Sequence, residues 1–330
     1  MAQPTNTFDT YDSVGNREDL QDKIYMVSPE KTPVMSAGRR FKATAKFHEW
    51  QRDSLATPNK DNAVIEGDDR TGTALTPTDR VGNYAQLFDK VAVVTSSQKK
   101  SNSAGRSDEM KYQIATKAIP ELKRDIEAML ISNNAAVAGN STTARKSAGI
   151  GTMVYTNASH GTGTPNGSTT AHTSGAATTA PVVCGTLRAF AESQIKTVMQ
   201  GIYTNSGEMP SFVSLTPSHK SGFSAFSGIA TSRYQVGKGK GEQTRIIGGA
   251  DIYVSDFGEL TIVPNYVQAT ASPNTVLILN PEHYGVAYFQ DFATEPLAKT
   301  GHTDKEMVKA EVLAVVTSQT AQGKVADLTA

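Results

Sequence analysis

A run of glycine and lysine at 237–241 is the segment whose composition most suggests ligand chemistry. Gly237, Gly239 and Gly241 alternate with Lys238 and Lys240, and a glycine-rich loop with a lysine is the usual cradle for phosphates. A Walker-type loop also needs Ser or Thr directly after its lysine, to bind magnesium. Glycine follows each lysine here. The run is therefore interpreted as a basic loop, and no cofactor is predicted.

The histidines and the single cysteine lack the spacing of metal ligands. No histidine lies in an HExxH pattern or beside a cysteine pair, so each is interpreted as a satisfied or solvated side chain. The six histidines are His48, His160, His172, His219, His283 and His302. Cys184 follows two valines, a context that favours a buried inert thiol. No metal site is predicted.

The carboxylates Glu66, Asp68 and Asp69 form an acidic cluster that could be considered for acid–base chemistry. Catalysis by two carboxylates needs a cleft that moves their pKa values apart. The flanking Gly67 and Arg70 indicate a solvent-facing loop instead. No GxSxG nucleophile motif is present either. The sequence therefore predicts a surface patch here, no catalytic residue and no enzyme.

Charge and hydropathy exclude further classes of protein. The chain of 330 residues has 32 basic and 32 acidic side chains, a net charge of zero, whereas a DNA-binding face has a basic excess. One cysteine forms no internal disulfide, which suits a reducing compartment. No signal peptide or membrane-spanning apolar run is present. We predict a protein made in a cytoplasm, with no membrane association.

The first hundred residues predict extended structure with little core of its own. Residues 1–36 are polar and indicate an arm that lies on another surface. Alternation predicts a strand at 41–48, and a second strand is predicted at 84–97. We interpret 41–97 as a two-stranded excursion with a large polar tip. An isolated hairpin is marginal in water, so the excursion needs support from elsewhere.

Residues 107–133 predict a long amphipathic helix. Ser107 is its expected N-cap, and Pro120 is expected to kink or break it. Lys123 and Glu127 are expected to pair on the solvated side. The apolar stripe, with spacings of three and four, consists of Met110, Ile114, Ala118, Leu122, Ile126, Met129 and Leu130.

Residues 139–180 consist mostly of Ser, Thr, Gly and Ala, with a short apolar patch at 149–155. This composition is typical of a linker, and we expect an inserted loop that becomes ordered on assembly. The Asn-x-Ser/Thr sequons, expected by chance in such a segment, begin at Asn140, Asn157 and Asn166.

From residue 181 onward helices and strands mix, so the predicted fold class is α+β. Helices are predicted at 186–200 and from Pro217, with Thr216 as N-cap, to near Gly228. Strands are predicted at 211–215, 252–255, 260–263, 276–279, 285–293 and 307–317, the last two joined by a turn at Gly301.

The order of arm, excursion, long helix, variable loop, mixed domain and returning strands resembles the major capsid proteins of tailed bacteriophages, which have the HK97-type fold. Short sequence patterns carry this resemblance from about residue 8 to about residue 325. They are Phe8–Leu20, Ser28-Pro29, Thr32-Pro33, Lys46–Gln51, Asp53–Leu55, Asn62–Gly67, Gly105-Arg106, Glu109-Met110, Glu121–Asp125, Val254–Gly258 and Thr294–Gly301.

The resemblance implies a division of the chain into six parts. These are an N-terminal arm at 1–40, an extended loop (E-loop) at 41–97, a peripheral-domain spine helix at 98–138, an insertion at 139–180, an axial domain at 181–284 and peripheral-domain strands with the C-terminal segment at 285–330. The loops of the axial domain, including a glycine-rich loop at 232–249, would lie near the symmetry axes of the shell.

The resemblance also implies a function: pentamers and hexamers of this chain would form the icosahedral head shell around a double-stranded DNA genome. The chain would assemble in the host cytoplasm and end in the virion capsid. The implied partners are other copies of this chain, a portal and decoration proteins. A separate scaffolding protein is expected because the family pattern begins within ten residues of Met1.

Some relatives cross-link a lysine to an asparagine. Lys60 and Lys90 lie in the excursion, but no acidic residue can be placed near them from the sequence, so no cross-link is expected. Trp50 is expected to affect assembly more than subunit folding. The alternatives are another phage structural protein, such as a tail-tube or decoration protein, or a bacterial cargo-enclosing shell protein of the same fold.

Overall fold

Two buried apolar cores organise this chain. The computed structural model describes residues 6–17, 19–28, 30–69, 72, 75, 77–162, 186–226 and 251–329. The first core lies between the long helix and a four-stranded sheet. The second lies within a six-stranded sheet and the helices beside it.

The helical elements of the described residues are short apart from two. They are α1 (Pro33–Ala37), α2 (Ser96–Lys100), α3 (Glu109–Tyr112), a π-helical segment (Gln113–Ala118), α4 (Ile119–Ile131), α5 (Ile150–Met153), α6 (Glu192–Ser206), α7 (Pro217–Ser224) and α8 (Gln268–Ala271), with a 3₁₀ turn at Pro281–His283.

The strands form three sheets. They are β1 (Arg39–Lys42), β2 (Phe47–Arg52), β3 (Asp79–Tyr84), β4 (Gln86–Thr95), β5 (Ala158–Ser159), β6 (Phe212–Leu215), β7 (Ile252–Ser255), β8 (Gly258–Pro264), β9 (Val276–Leu279), β10 (Tyr284–Leu297), β11 (Thr303–Val316) and β12 (Gly323–Val325). The strand orders are β1-β10-β11-β4, β5-β12-β9-β6-β8-β7 and β2-β3.

The predicted spine helix is present as α3, the π-helical segment and α4 in unbroken succession. Leu122, Ile126 and Leu130 are fully buried on one face, as the apolar spacing predicts. The helix is not broken at Pro120; instead the π-helical segment ends at Ala118 and α4 begins directly before the proline. This change of helix type is the local irregularity that a proline inside a helix requires. The N-cap is Asp108, whose carboxylate accepts from Met110 N.

The expected Lys123–Glu127 pair is wrong. Glu127 is fully buried, and Lys123 Nζ instead contacts Glu30 Oε1 at 2.6 Å. The face that carries Glu127 is covered by α1, which packs across α4. An i,i+4 spacing indicates a pair only where the helix face meets solvent.

The two-stranded excursion comprises fewer residues than the predicted 41–97. Strand β2 pairs with β3, from Phe47 opposite Tyr84 to Arg52 opposite Asp79. The predicted strand at 84–97 does not pair with the first strand, because β4 joins β11 in the four-stranded sheet. This partner lies more than 200 residues away in the chain, which local patterning cannot indicate.

The predicted helix at 186–200 begins later, as α6. Residues before it pair with the C-terminal segment: Arg188 N donates to Asp327 O at 2.8 Å, and Thr329 N donates to Arg188 O at 2.9 Å. The Thr216-Pro217 helix start is confirmed, since Thr216 Oγ1 accepts from His219 N. The predicted strands from residue 211 onward are also present.

The inserted-loop interpretation is wrong for the first part of 139–180. Ile150 and Met153 of α5 are fully buried and pack in the first core. The apolar patch at 149–155 therefore belongs to the body of the protein. Several residues discussed above lie outside the described residues: Arg70, Asn166, His172, Cys184 and the loop at 232–249.

Gly285 lies opposite Arg39 in the parallel β1–β10 pair. A Cβ atom at Gly285 would lie 1.9 Å from Arg39 O, so Gly285→Ala must separate the two strands. We expect a loss of about 3 kcal/mol or more in the free energy of unfolding, measured by urea denaturation. In Gly222→Ala the new Cβ would meet only Phe190 Cδ1, at 3.9 Å, and equal losses in both variants would contradict this account.

Candidate assembly surfaces

Large apolar side chains are exposed along the N-terminal segment, defined here as the arm (residues 6–32). Val14 is fully exposed, and Tyr11 and Val27 are nearly so. Exposed apolar side chains that group together on a soluble protein commonly mark a site of interaction with other proteins. The exposed apolar side chains of the arm are Phe8, Tyr11, Val14, Leu20, Ile24, Tyr25, Met26 and Val27.

The segment between β2 and β3, defined here as the tip loop (residues 53–78), has the same character. Leu55 is fully exposed, and Ile65 and Leu75 are mostly exposed. The acidic cluster Glu66, Asp68 and Asp69 is also exposed here, next to these apolar residues. The tip loop therefore presents apolar and acidic side chains together, away from either core.

The base of the β2–β3 hairpin is fixed to the body by Trp50. Its ring is half-buried and packs against residues of the first core and of a smaller cluster that contains Leu313 and Val315. Its Nε1 donates to Val316 O at 3.1 Å. Trp50 is therefore a contact within the subunit, which revises the expectation that it acts mainly in assembly.

Asn83 of β3 forms a second attachment of the hairpin and is fully buried. Its Nδ2 donates to Ala314 O at 2.8 Å and to Ser147 Oγ at 3.0 Å. Its Oδ1 accepts from Ala148 N at 2.9 Å. A buried amide with these partners satisfies its hydrogen-bonding groups, so the hairpin base is held while the tip loop is free to contact other surfaces.

The base of the arm is held by Glu127. Its Oε1 accepts from Val34 N at 2.9 Å and its Oε2 from Met35 N at 2.7 Å, which supplies the cap that Thr32 does not provide for α1. Asn265 Nδ2 donates to the same carboxylate at 2.6 Å. Burial raises the pKa of Glu127, and the hydrogen bonds only partly oppose this. Tyr284 Oη donates to Val34 O at 3.1 Å.

The structure places acidic residues beside both lysines of the excursion. Lys60 Nζ lies 3.4 Å from Asp61 Oδ1. Lys90 Nζ lies 3.0 Å from Asp125 Oδ2 on α4, and this hydrogen bond raises the pKa of Lys90. The sequence alone could not place this acidic neighbour of Lys90, because Asp125 lies on a different element. The Lys90 pair lies within one subunit and indicates no cross-link.

Three of the described histidines have polar partners within the subunit. His219 is a satisfied side chain, as expected: its ring contacts Thr216 Oγ1 at 2.9 Å and Thr329 O at 3.0 Å. His283 contacts Glu208, and His302 is exposed. His160 is buried beside Asp327. Within the described ranges, no group of three or more His, Cys, Asp or Glu side chains could hold a metal ion.

Similar folds are found in solved structures of a phage, a GTA particle capsid and an encapsulin complex. A chain of Gordonia phage Cozz superposes with a TM-score of 0.62 at 8% identity, covering 99% of this chain and 97% of that one. The capsid of a native GTA particle gives 0.58 at 11%, covering 97% and 98%. The holo-SrpI encapsulin complex from Synechococcus elongatus gives 0.54 at 12%, covering 95% and 92%. The chain has the HK97-type fold, as the resemblance implied.

Sequence comparison then defines the family. The model of the SU10 major capsid protein family matches residues 3–329. The chain belongs to this family. A curated major capsid protein of Escherichia phage Phieco32 is 33% identical over 135 residues, which are 41% of this chain and 38% of that relative. The match therefore spans well under half of the curated relative's length.

Sequence reasoning located the arm and the tip loop but missed what attaches them. Glu127, Asn83 and Tyr284 contact residues that are between 64 and 250 positions away in the chain. Because Glu127 and Asn83 are polar, the sequence around them did not indicate that they are buried. Among helices in the described part of the chain, none has the length and hydropathy needed to cross a membrane.

Proposed function

We propose that this chain is the repeating subunit of an icosahedral phage head, assembled as pentamers and hexamers around double-stranded DNA. The observation that carries the proposal is the pair of exposed apolar segments, the arm and the tip loop, in a chain of the SU10 major capsid protein family. Exposed apolar segments of this kind mark interaction sites, and a symmetric shell supplies other copies of the chain to cover them.

The proposed division of labour follows the positions of these segments. The arm (residues 6–32) and the β2–β3 hairpin with its tip loop, as the E-loop, reach neighbouring subunits. The spine helix and the four-stranded sheet, which includes β4, form the peripheral domain, and the six-stranded sheet, which includes β12, forms the axial domain with α6 and α7. The segment 139–180 contributes α5 to the core, and its remainder is proposed to contact a neighbour or the shell surface.

Partners other than the chain itself belong to the same proposal. A separate scaffolding protein, a portal and decoration proteins would join the shell, and assembly would take place in the host cytoplasm. The enclosed DNA would be held without sequence-specific contacts, since net charge is zero and sequence-specific or tight DNA binding needs basic contacts. No catalytic step is proposed.

Two alternative functions agree less well with the family match. Tail-tube and decoration proteins do not account for a match to a capsid family over residues 3–329. A cargo-enclosing shell shares the fold, as the encapsulin structure does at 12% identity. The family match favours the phage capsid over the cargo shell.

Polar substitutions on the two exposed segments test the proposal. The double variant Leu55→Ser/Ile65→Ser in the tip loop and the variant Tyr11→Ser in the arm are expected to reduce the yield of assembled particles at least about tenfold. Subunit melting temperature should change little, because these side chains are exposed and exposed substitutions usually change stability by less than about 0.5 kcal/mol. Particle yield is measured by sucrose-gradient sedimentation.

Lys60→Ser is the matched control in the tip loop, because Lys60 is equally exposed but not apolar. It should assemble normally. Normal particle yields from the Leu55/Ile65 and Tyr11 variants would contradict the proposed role of these segments.

A further inference from the structure

The edge of the four-stranded sheet at β1 carries positive charge. The strand order β1-β10-β11-β4 leaves β1 with one neighbouring strand in the part of the chain that the structure describes. Residues 31–48 contain no Asp or Glu. Within them, residues 39–46 are defined here as the basic segment, and their basic side chains, all exposed, are Arg39, Arg40, Lys42 and Lys46. The β1 edge is therefore a surface that fits an acidic partner.

The subunit itself neutralises little of this charge. Among the described residues, Arg40 is the one member of the basic segment with an ion-pair partner, Asp291. The Arg40 guanidinium also lies 4.0 Å from the centre of the half-buried Tyr288 ring. An aromatic ring beside cations gives the β1 edge an apolar part. A partner that fits this edge has both carboxylates and an apolar side chain.

The tip loop has the opposite charge. Residues 53–78 contain five acidic and two basic side chains, which gives a net charge of −3. Lys60 already contacts Asp61 at 3.4 Å, whereas the acidic cluster of this loop is exposed to solvent. Ile65, directly before the acidic cluster, is 80% exposed. The tip loop therefore presents the carboxylates and the apolar side chain that complement the β1 edge.

Within one subunit the β2–β3 hairpin separates these two surfaces. Strand β2 begins directly after the basic segment, at Phe47, and its pairing with β3 ends at Arg52, where the tip loop begins. The paired part of the hairpin extends about 20 Å at ~3.4 Å per residue. Charges in solvent are largely screened beyond about 8 Å at physiological ionic strength. The acidic cluster therefore meets a basic segment by contacting a second copy of the chain rather than its own.

We propose that the β1 edge is the docking surface for the tip loop of a second copy of this chain. The acidic cluster of that copy contacts the basic segment, and its Ile65 lies beside Tyr288. Because the contact joins two different surfaces, each copy gives its tip loop to one neighbour and receives the tip loop of another. Repeated around an axis, such contacts close into a ring. The inference rests on the proposed function and names the surface that the tip loop contacts.

Charge reversal tests the pairing. The acidic-cluster variant Glu66→Lys/Asp68→Lys and the basic-segment variant Arg39→Glu/Lys42→Glu should each lower the yield of particles at least about tenfold, because like charges then face each other. A chain with both sets of changes again has opposite charges at the contact, and its yield should return to within about threefold of the wild type. Sucrose-gradient sedimentation measures the yields. Subunit melting temperatures should change little, since the altered side chains are exposed.

The matched control is Lys100→Glu/Lys117→Glu, which reverses the charge of two exposed lysines in α2 and the π-helical segment. This control should assemble normally. Combined with Glu66→Lys/Asp68→Lys, it should not restore the yield of particles. An equal loss of yield in the control and in the basic-segment variant would indicate an effect of net charge and would contradict the proposal.

A disulfide test needs no charge reversal and applies even if a reversed variant does not fold. In a Cys184→Ser background, the variant Asp68→Cys/Lys42→Cys should form ladders of linked subunits when particles are oxidised, because the two positions meet between copies. The control Asp68→Cys/Lys117→Cys should remain a single band. Gel electrophoresis without reducing agent measures both.

Three results would overturn this inference and leave the proposed function in place. Both charge-reversed variants assemble as well as the wild type, so that the tip loop docks elsewhere. The combined variant assembles no better than its two parents and no disulfide ladder forms, so that the two surfaces have different partners. The basic-segment variant loses binding to duplex DNA in fluorescence anisotropy while the acidic-cluster variant assembles normally, so that the segment binds DNA instead. A wild type that forms no particles, with or without the proposed scaffolding protein, would contradict the proposed function itself and this inference with it.

Discussion

Trp50→Ala is expected to destabilise the isolated subunit by about 2–4 kcal/mol. The substitution removes a half-buried ring that packs against two apolar clusters and the donor to Val316 O. Because Trp50 joins the hairpin base to the body, assembly should decrease as well. Urea denaturation of unassembled subunits measures the loss of stability.

Trp50→Phe separates packing from hydrogen bonding, since it keeps an aromatic ring and loses only the indole donor. It should cost about 1 kcal/mol. Unchanged subunit stability in Trp50→Ala, together with a loss of particles, would show that Trp50 acts between subunits, and the placement given above would be wrong.

Glu127→Ala is expected to have a comparable effect, a loss of about 3 kcal/mol in the free energy of unfolding. The change leaves Val34 N, Met35 N and Asn265 Nδ2 without their acceptor. Amide hydrogen exchange should increase at Val34 and Met35, because α1 loses its attachment to the spine helix. The control is Glu121→Ala on the same helix, an exposed residue whose loss should cost less than about 0.5 kcal/mol.

The contribution of Glu127 to the stability of the protein depends on pH in a direction that its pKa defines. Its pKa is raised in the folded state, so the folded state binds the proton more tightly than the unfolded chain does. The stabilisation by this bound proton is complete below the pKa that Glu127 has in the unfolded chain. It is lost as the pH rises through the pKa that Glu127 has in the folded protein. The wild type should therefore gain stability relative to Glu127→Gln as the pH is lowered, measured by urea denaturation between pH 8 and pH 5. A difference between the two proteins that stays constant over this range would contradict the assignment.

The fold was predictable from the sequence where the signal is local. The spacing from Met110 to Leu130 predicts the spine helix, and Thr216-Pro217 predicts the start of α7. The long returning strands were also predicted, as β10 and β11 with a turn at Gly301. Each of these features is specified by residues close together in the chain.

The features of the fold that the sequence did not predict depend on contacts between residues that are distant in the chain. The alternation at 84–97 indicates a strand, but only the fold shows that β11 is its partner. Glu127 follows a pattern typical of a solvated helix face, and α1 covers that face. His160 lies in a segment of low complexity, yet it is buried because the C-terminal Asp327 contacts it.

The most direct test of the central claim is negative-stain electron microscopy combined with light scattering on the purified chain. The chain should be prepared alone and co-expressed with the separate scaffolding protein that we propose. We expect closed shells, tubes or rings of five or six subunits in at least one preparation. A uniform species of 35.1 kDa in both preparations would contradict the account of this chain as a shell subunit.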